Sequence, residues 1–279
     1  MQLAHFPKYC ALNSAEPMTA FLHSCQRHGI ELVENSMTAD AAVIWSVTWA
    51  GRMQPNQEIY QHYRQHNRPV IVVEVGTLHR GRTWKIAVNN ITADGYYGHQ
   101  ENLDWDRPKK LALAEPQKFA PKSTVLIVVQ NNHSLQTQSL QSMDQWIIDT
   151  VQHINTHSDR SIVVRPHPRS RINMALPNVH VETPKKLANT YDSFDIDFQH
   201  HAVINYNSGA GVQAALVGTT VIVDHTSLAA PVSIDMCDIE QSVMTDRDQW
   251  RVEIAHTEYL IEEIQQGLWI PRLAPQLPL

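Results

Sequence analysis

The sequence predicts an α/β protein made of two Rossmann-like halves facing across a cleft. Three observations predict it. Short apolar runs of strand length alternate with stretches of helical periodicity from end to end. The runs are apolar at consecutive positions rather than at every second one, as in parallel sheets covered on both faces. A stretch of prolines and charges, Asp104 to Lys122, interrupts the alternation near the middle, as a linker between domains does.

In the first half, Glu16 to His28 reads as a helix with Phe21, Leu22 and Cys25 on one side. Ala41 to Val47 reads as an apolar strand, Asn56 to His66 as a helix, and Pro69 to Val75 as a second buried strand. The second half restarts with a strand over Thr124 to Val129. A helix from about Ser139 to Asn155 follows, with Met143, Trp146, Ile147, Thr150, Val151 and Ile154 at helical spacing. Strands at Ser161–Arg165 and Val179–Val181 come next. Ala202-Val203-Ile204 then leads into a turn at Asn205–Gly211, a helix, and the apolar run Val221-Ile222-Val223. A last helix is expected over about Arg247 to Gln266, carrying Trp250, Ile254, Tyr259, Leu260 and Ile264. The expected domains are 1–118 and 119–279, with the last helix able to pack back on the first.

Bulk properties narrow the function. Hydrophobic residues make up 43% of the 279, enough for real cores, and the longest apolar runs are far short of a membrane span. The N-terminus lacks the basic-then-apolar pattern of a signal peptide, and Cys10, Cys25 and Cys237 read as reduced thiols, so a cytoplasmic location is expected. The net charge of −6 argues against a protein that coats nucleic acid nonspecifically. Locally, Arg64, Arg68, Arg80, Arg82, Lys85, Arg107, Lys109, Lys110, Lys118 and Lys122 face few acids, which suits either an anionic partner or solvated loops.

Two segments carry most of the chemistry. Arg165-Pro166-His167-Pro168-Arg169 leaves a strand as a loop stiffened by its prolines. Such a loop can hold an imidazole and two guanidiniums against a phosphate, where Arg presents a planar fork and His a ring donor. Asn207-Ser208-Gly209-Ala210-Gly211 opens a helix: Ser208 is a good N-cap, and glycines let backbone amides approach a ligand. A helix N-terminus favours phosphate, and the carboxyl ends of parallel strands are where nucleotides usually sit. Arg165, His167, Arg169, Asn207, Ser208, Gly209 and Gly211 are therefore the expected nucleotide-phosphate-binding residues.

In the first half, Glu74 stands at a strand's carboxyl end. It is the candidate general base, with pairing to Arg52 or Arg80 as the other reading. Arg52, Asn56, Arg80, Arg82, Trp84 and Lys85 mix cations with an indole, the combination of a nucleic-acid backbone contact beside a stacked base, or of a solvated hairpin. No histidine shows metal-ligand spacing, and Asp195-Ile196-Asp197 precedes a strand, so metal-independent chemistry is expected. Trp146, Trp250 and Trp269 are expected in the core.

RPHPR after a strand, paired with NSGAGVQAALVGTTVIV, resembles the donor domain of GT-B glycosyltransferases of the capsule-polysaccharide-synthesis type, closest to their phage-encoded relatives. The segments WAGRMQPNQEIYQHYR, RPVIVVEVG and HRGRTWKI resemble the acceptor-side blocks of the phage proteins, and HTEYLIEEIQQGLWIPRL resembles their ending. The resemblance implies a GT-B fold with the acceptor side in the first domain and a nucleotide-sugar donor, UDP-linked by preference and with no other cofactor, in the second. This makes the phosphate-binding set Arg165, His167, Arg169, Asn207, Ser208, Gly209 and Gly211 the expected donor-binding residues. It implies transfer to 5-hydroxymethylcytosine or 5-hydroxymethyluracil in phage DNA, with the base flipped out of the duplex. The alternatives are transfer to a capsule or lipopolysaccharide glycan from a CMP- or UDP-linked donor, and a non-catalytic nucleotide- or DNA-binding module.

Overall fold

The computed structural model describes residues 1–116, 122–170, 172, 177, 179–190, 193–241 and 246–279. In chain order the strands are β1 (Gln2–His5), β2 (Glu31–Glu34), β3 (Ala41–Trp45), β4 (Val70–Val75), β5 (Trp84–Val88), β6 (Val125–Val128), β7 (Ile162–Arg165), β8 (Val179–Val181), β9 (Ala202–Asn205), β10 (Thr220–Val223) and β11 (Glu258–Tyr259). The helices are α1 (Ala15–Arg27), α2 (Asn56–Gln65), α3 (Arg107–Lys110), α4 (Met143–His157), α5 (Gly209–Val217), α6 (Asp248–Ala255), α7 (Ile261–Gln266) and α8 (Ile270–Leu273). One compact unit comprises Met1–Pro108, His133–Gln136 and Val252–Leu279; the other comprises Lys109–Asn132 and Thr137–Arg251. The expected boundary between 118 and 119 lies outside the described residues.

In the first unit the strand order is β11-β5-β4-β3-β1-β2. β2, β1, β3 and β4 run parallel; β5 and β11 are antiparallel additions at one edge. The β2-β1-β3-β4 order is that of flavodoxin-like sheets, whose switch point falls between β1 and β3. The central strands β3 and β4 are almost wholly apolar because residues on both faces have a core to enter. Val43, Trp45, Ile71, Val73 and Ile86 pack with Phe21 and Cys25 of α1, and with Trp269, in one cluster. Ala42, Ile44, Val70 and Val72 enter the other with Ile59 and Tyr63 of α2. The Trp269 indole stacks on Phe21 at 4.4 Å and donates its N–H to Ser24 Oγ. Burial pushes the Cys25 thiol up to about 12.

The continuous helix expected over 247–266 is broken. Its periodicity is real, but His256 and Thr257 leave the helix and Glu258–Tyr259 pair antiparallel with Lys85–Trp84. Covering the edge of β5 satisfies backbone groups that a longer helix would leave open, and it draws the chain end onto the first sheet. Glu263 Oε2 accepts from the Leu260 N–H and so starts α7.

Two internal contacts of this unit carry predictions. Arg107, expected among the cations facing a partner, is buried. Its guanidinium forks onto Glu263 at 2.7 and 2.9 Å, donates to the carbonyls of Ala255 and Glu258, and lies 5.6 Å from the Tyr259 ring centroid. Arg107→Met strands a carboxylate and two carbonyls, so thermal or urea unfolding should show a loss of about 3–5 kcal/mol. His256 is also buried. Its ring contacts Val252 O at 2.7 Å through Nδ1 and accepts from the Asp104 N–H at Nε2, 3.1 Å away. Only the neutral Nδ1–H ring satisfies both, and burial pushes its pKa down from 6.5 to about 4. Between those values the unfolded chain binds the extra proton, so stability is full above 6.5 and declines as pH falls toward 4. Thermal melts across this window should fall more steeply for the native chain than for His256→Asn.

The second unit holds an all-parallel sheet in the order β10-β9-β6-β7-β8. Counted within the unit this is 3-2-1-4-5 read from β8, the Rossmann order, with its switch point between β6 and β9. Val125, Ile127, Ile162, Val164, Ala202, Ile204 and Ile222 form the core with Ile147, Val151 and Ile154 of α4. Ser142, rather than Ser139, starts that helix, its hydroxyl accepting from the Gln145 N–H. Two Rossmann-like units, as expected, make up the fold.

Candidate functional site

The functional geometry of the second unit lies at the carboxyl edge of its sheet. Val128, the last residue of β6, is in register with Arg165 on one side and Asn205 on the other. The loop 166–169 and the turn 206–208 therefore leave the same edge from strands two apart, about 10 Å from each other. Gln130, leaving β6 between them, is buried and grips the turn: its Oε1 accepts from Asn207 N–H and its Nε2 donates to Asn207 Oδ1. Asn207 Nδ2 donates to Thr226, whose hydroxyl donates to Asp224 at the end of β10. Asn205 Oδ1 accepts from both the backbone N–H and the hydroxyl of Ser208, and Ser208 Oγ caps α5 at Ala210 N–H. The helix start is thus held by side chains from three strand ends.

The sequence-predicted donor residues fall into two groups. His167, Arg169, Ser208 and Gly209 lie at the accessible edge of the unit. His167 Nδ1 accepts from Arg169 N–H at 3.2 Å, so the neutral ring carries its proton on Nε2. Arg165 and Gly211 are corrections. Arg165 is buried, its guanidinium bound to Glu182 and, at 2.9 Å, to Asp195; it is a structural ion pair beneath the loop. Gly211 faces β10: a Cβ there would meet Val223 Cγ1 at 2.9 Å, so its glycine serves helix–strand packing. Asn207 is buried and holds the turn in shape.

Sequence reading missed the cavity beside this network. A space of about 440 Å³ opens at the ends of β9 and β10, lined among others by Trp146, Asp149, Tyr206, Asn205, Asp224 and Met236. Trp146, expected in the core, packs half-buried against it and also lines this space, its ring edge-on to Tyr206, whose hydroxyl is 2.8 Å from Ser139 Oγ. Trp250 and Trp269 are core residues as expected. The signal for the cavity was present in the two aromatics, but only folding brings α4 against β9.

In the first unit, Glu74 and Lys85 are direct cross-strand partners, and Lys85 is in turn opposite Glu258. Directly opposite residues share a face, so Lys85 stands between two carboxylates. It is a neighbour that neither reading of Glu74 included. Burial pushes the Lys85 ammonium down, opposed by Glu258 and Glu74, and pushes the nearby Tyr97 phenol well up. Glu74 is half-buried, its Oε1 accepting from Val75 N–H. Trp84 and Lys85, expected on a nucleic-acid surface, are inside the sheet because β5 begins there. Asn56 is buried at the switch point, where its amide donates to Tyr9 O and Trp45 O and ties together the loops after β1 and β3. Arg52, Arg80 and Arg82 are exposed.

No protein-family model matches the chain, and no curated protein matches it. Solved structures do. The beta Kdo 2,4 transferase of Thermosulfurimonas dismutans KpsC is similar with a TM-score of 0.57 and 15% identity, over 96% of this chain and 98% of that one. The beta Kdo 2,7 transferase of the same KpsC is similar with a TM-score of 0.51 and 12% identity, over 96% and 99%. At these identities the likeness is one of fold. The chain has the GT-B fold of two Rossmann-like units. Among the described residues no helix is long and apolar enough to cross a membrane.

Proposed function

We propose that this chain is a glycosyltransferase that moves a sugar from a CMP- or UDP-linked donor to a glycan. The observation that carries the reading is the carboxyl edge of the second unit. There the His167 loop and the capped start of α5 flank the switch point, beside a cavity large enough for a nucleotide's base and ribose. In this reading the base lies against Trp146 and Tyr206, and the phosphates lie toward His167 and Ser208. The donor's anomeric carbon–oxygen bond breaks, the electron pair leaving with the phosphate, and donors fixed by the network around Asn207 stabilise the charge. The acceptor hydroxyl attacks that carbon and gives its proton to Glu74. The fold shared with Kdo transferases supports a glycan over DNA as acceptor.

A hydroxymethylated pyrimidine in DNA is the second reading. The exposed Arg52, Arg80 and Arg82 favour an anionic acceptor, whereas the burial of Lys85 and Arg107 takes two cations out of the basic stretch that suggested DNA. The test incubates the protein with CMP- and UDP-sugars, a Kdo-terminated glycan and 5-hydroxymethylcytosine DNA, followed by mass spectrometry of both acceptors. One added sugar on the glycan is the expected result. A gain on the nucleoside instead selects the second reading. A donor nucleotide that raises the melting temperature without any transfer or donor hydrolysis would leave a binding module.

A further inference from the structure

The connection between β4 and β5, Gly76 to Thr83, carries Arg80 and Arg82 at its exposed tip and Glu74 just before it. Eight residues rich in glycine and cations would ordinarily be among the mobile parts of a fold. This one is held from an unexpected direction. Glu258, on β11 near the chain's end, is fully buried and turns its carboxylate into the base of the loop. Oε1 accepts from Thr77 N–H at 2.6 Å; Oε2 accepts from Leu78 N–H at 3.0 Å and from Thr83 Oγ1 at 2.6 Å. Thr83 Oγ1 in turn accepts from His79 N–H, and Gly76 N–H donates to Thr83 O. The packing leaves no slack: a Cβ on Gly76 would lie 2.2 Å from Thr83 O and 2.5 Å from Glu258 Oε2. The same carboxylate faces Lys85, the cross-strand partner of Glu74.

We infer that Glu258 is a positioning residue: it fixes the 76–83 loop, and through Lys85 the Glu74 carboxylate, in the geometry used on the acceptor. The inference rests on the reading of Glu74 as base and of the arginine tip as acceptor contact. A carboxylate is suited to the task because it takes several donors at once, and charge-assisted bonds of this kind are short and directional. Its position 180 residues downstream of Leu78 makes the last segment of the chain part of the acceptor side.

Two variants test this. Glu258→Gln puts an amide N–H₂ where an oxygen must accept, and Thr83→Val removes only the hydroxyl while keeping the shape, so it remains informative should the first fail to fold. Amide hydrogen exchange over 76–84 and steady-state transfer kinetics are measured on both. The expected result is exchange faster by about tenfold or more in that segment alone. With it should come a loss in kcat or a rise in acceptor KM of about tenfold, with the donor KM unchanged. Exchange that stays at the native rate in both variants overturns the clamp. Faster exchange with unaltered kinetics overturns its role in acceptor handling. If Glu74→Gln keeps full activity, the reading of the base fails by itself, and the exchange data still judge the clamp.

Discussion

Replacing His167 with alanine should sharply lower the rate of sugar transfer while leaving the melting temperature within about a degree of the native value, since the loop is at the accessible edge and adds nothing to the core. The expected fall in kcat is about 10²–10³, the usual loss when one fixed donor to a developing negative charge is removed. The structure gives the effect a direction. His167 Nδ1 is taken by the Arg169 N–H, so Nε2 carries the ring proton and is the atom that can donate to a leaving phosphate. The flanking Pro166 and Pro168 keep that donor in place without ordering at the moment of reaction. The check is a kinetic comparison at saturating donor together with a thermal melt. Full activity in a folded His167→Ala protein would remove the donor assignment of the loop. A loss of activity matched by unfolding would show a structural role only.

Replacing Glu74 with glutamine should lower kcat by about 10²–10⁴ with little change in either KM, the range expected for loss of a general base. The amide oxygen can still accept from Val75 N–H, so the local backbone contact is kept and the change is confined to proton acceptance and to the charge facing Lys85. Glu74→Asp, which retains the carboxylate but withdraws it by one methylene, should recover part of the rate. Equal losses in both variants would point to packing, and no loss in Glu74→Gln would require another base.

Much of the secondary structure was legible because it depends on local periodicity. Helices α1, α2 and α4 and strands β3, β4, β6, β7, β9 and β10 fall within a few residues of where apolar spacing puts them. β1, β2, β5 and β11 went unread. Gln2–His5 is too short to show a pattern, and Glu258–Tyr259 carries a carboxylate that no apolar rule would bury. The basic stretch misled for a related reason: a sequence lists charges but not their depth, and the buried Lys85 and Arg107 each have an acidic neighbour, Glu258 and Glu263, supplied by the C-terminal segment. Arg165 was misread in the same way, its partners Glu182 and Asp195 being contributed by later parts of the chain.

The sequence alone determined that two sheets with parallel cores would form and that His167 and Ser208 would stand at strand ends of one of them; the antiparallel edge of the first sheet, β5 and β11, it did not show. Both follow from hydrophobic runs and the turn chemistry of Pro, Ser and Gly, which act over a few residues. Tertiary structure alone decided which polar groups are accessible and which are committed inside, how α4 and β9 leave a cavity, and that Glu258 reaches back to the 76–83 loop. Those outcomes depend on desolvation and pairing between residues far apart in the chain, and a charge's role is set by the partner that compensates its burial.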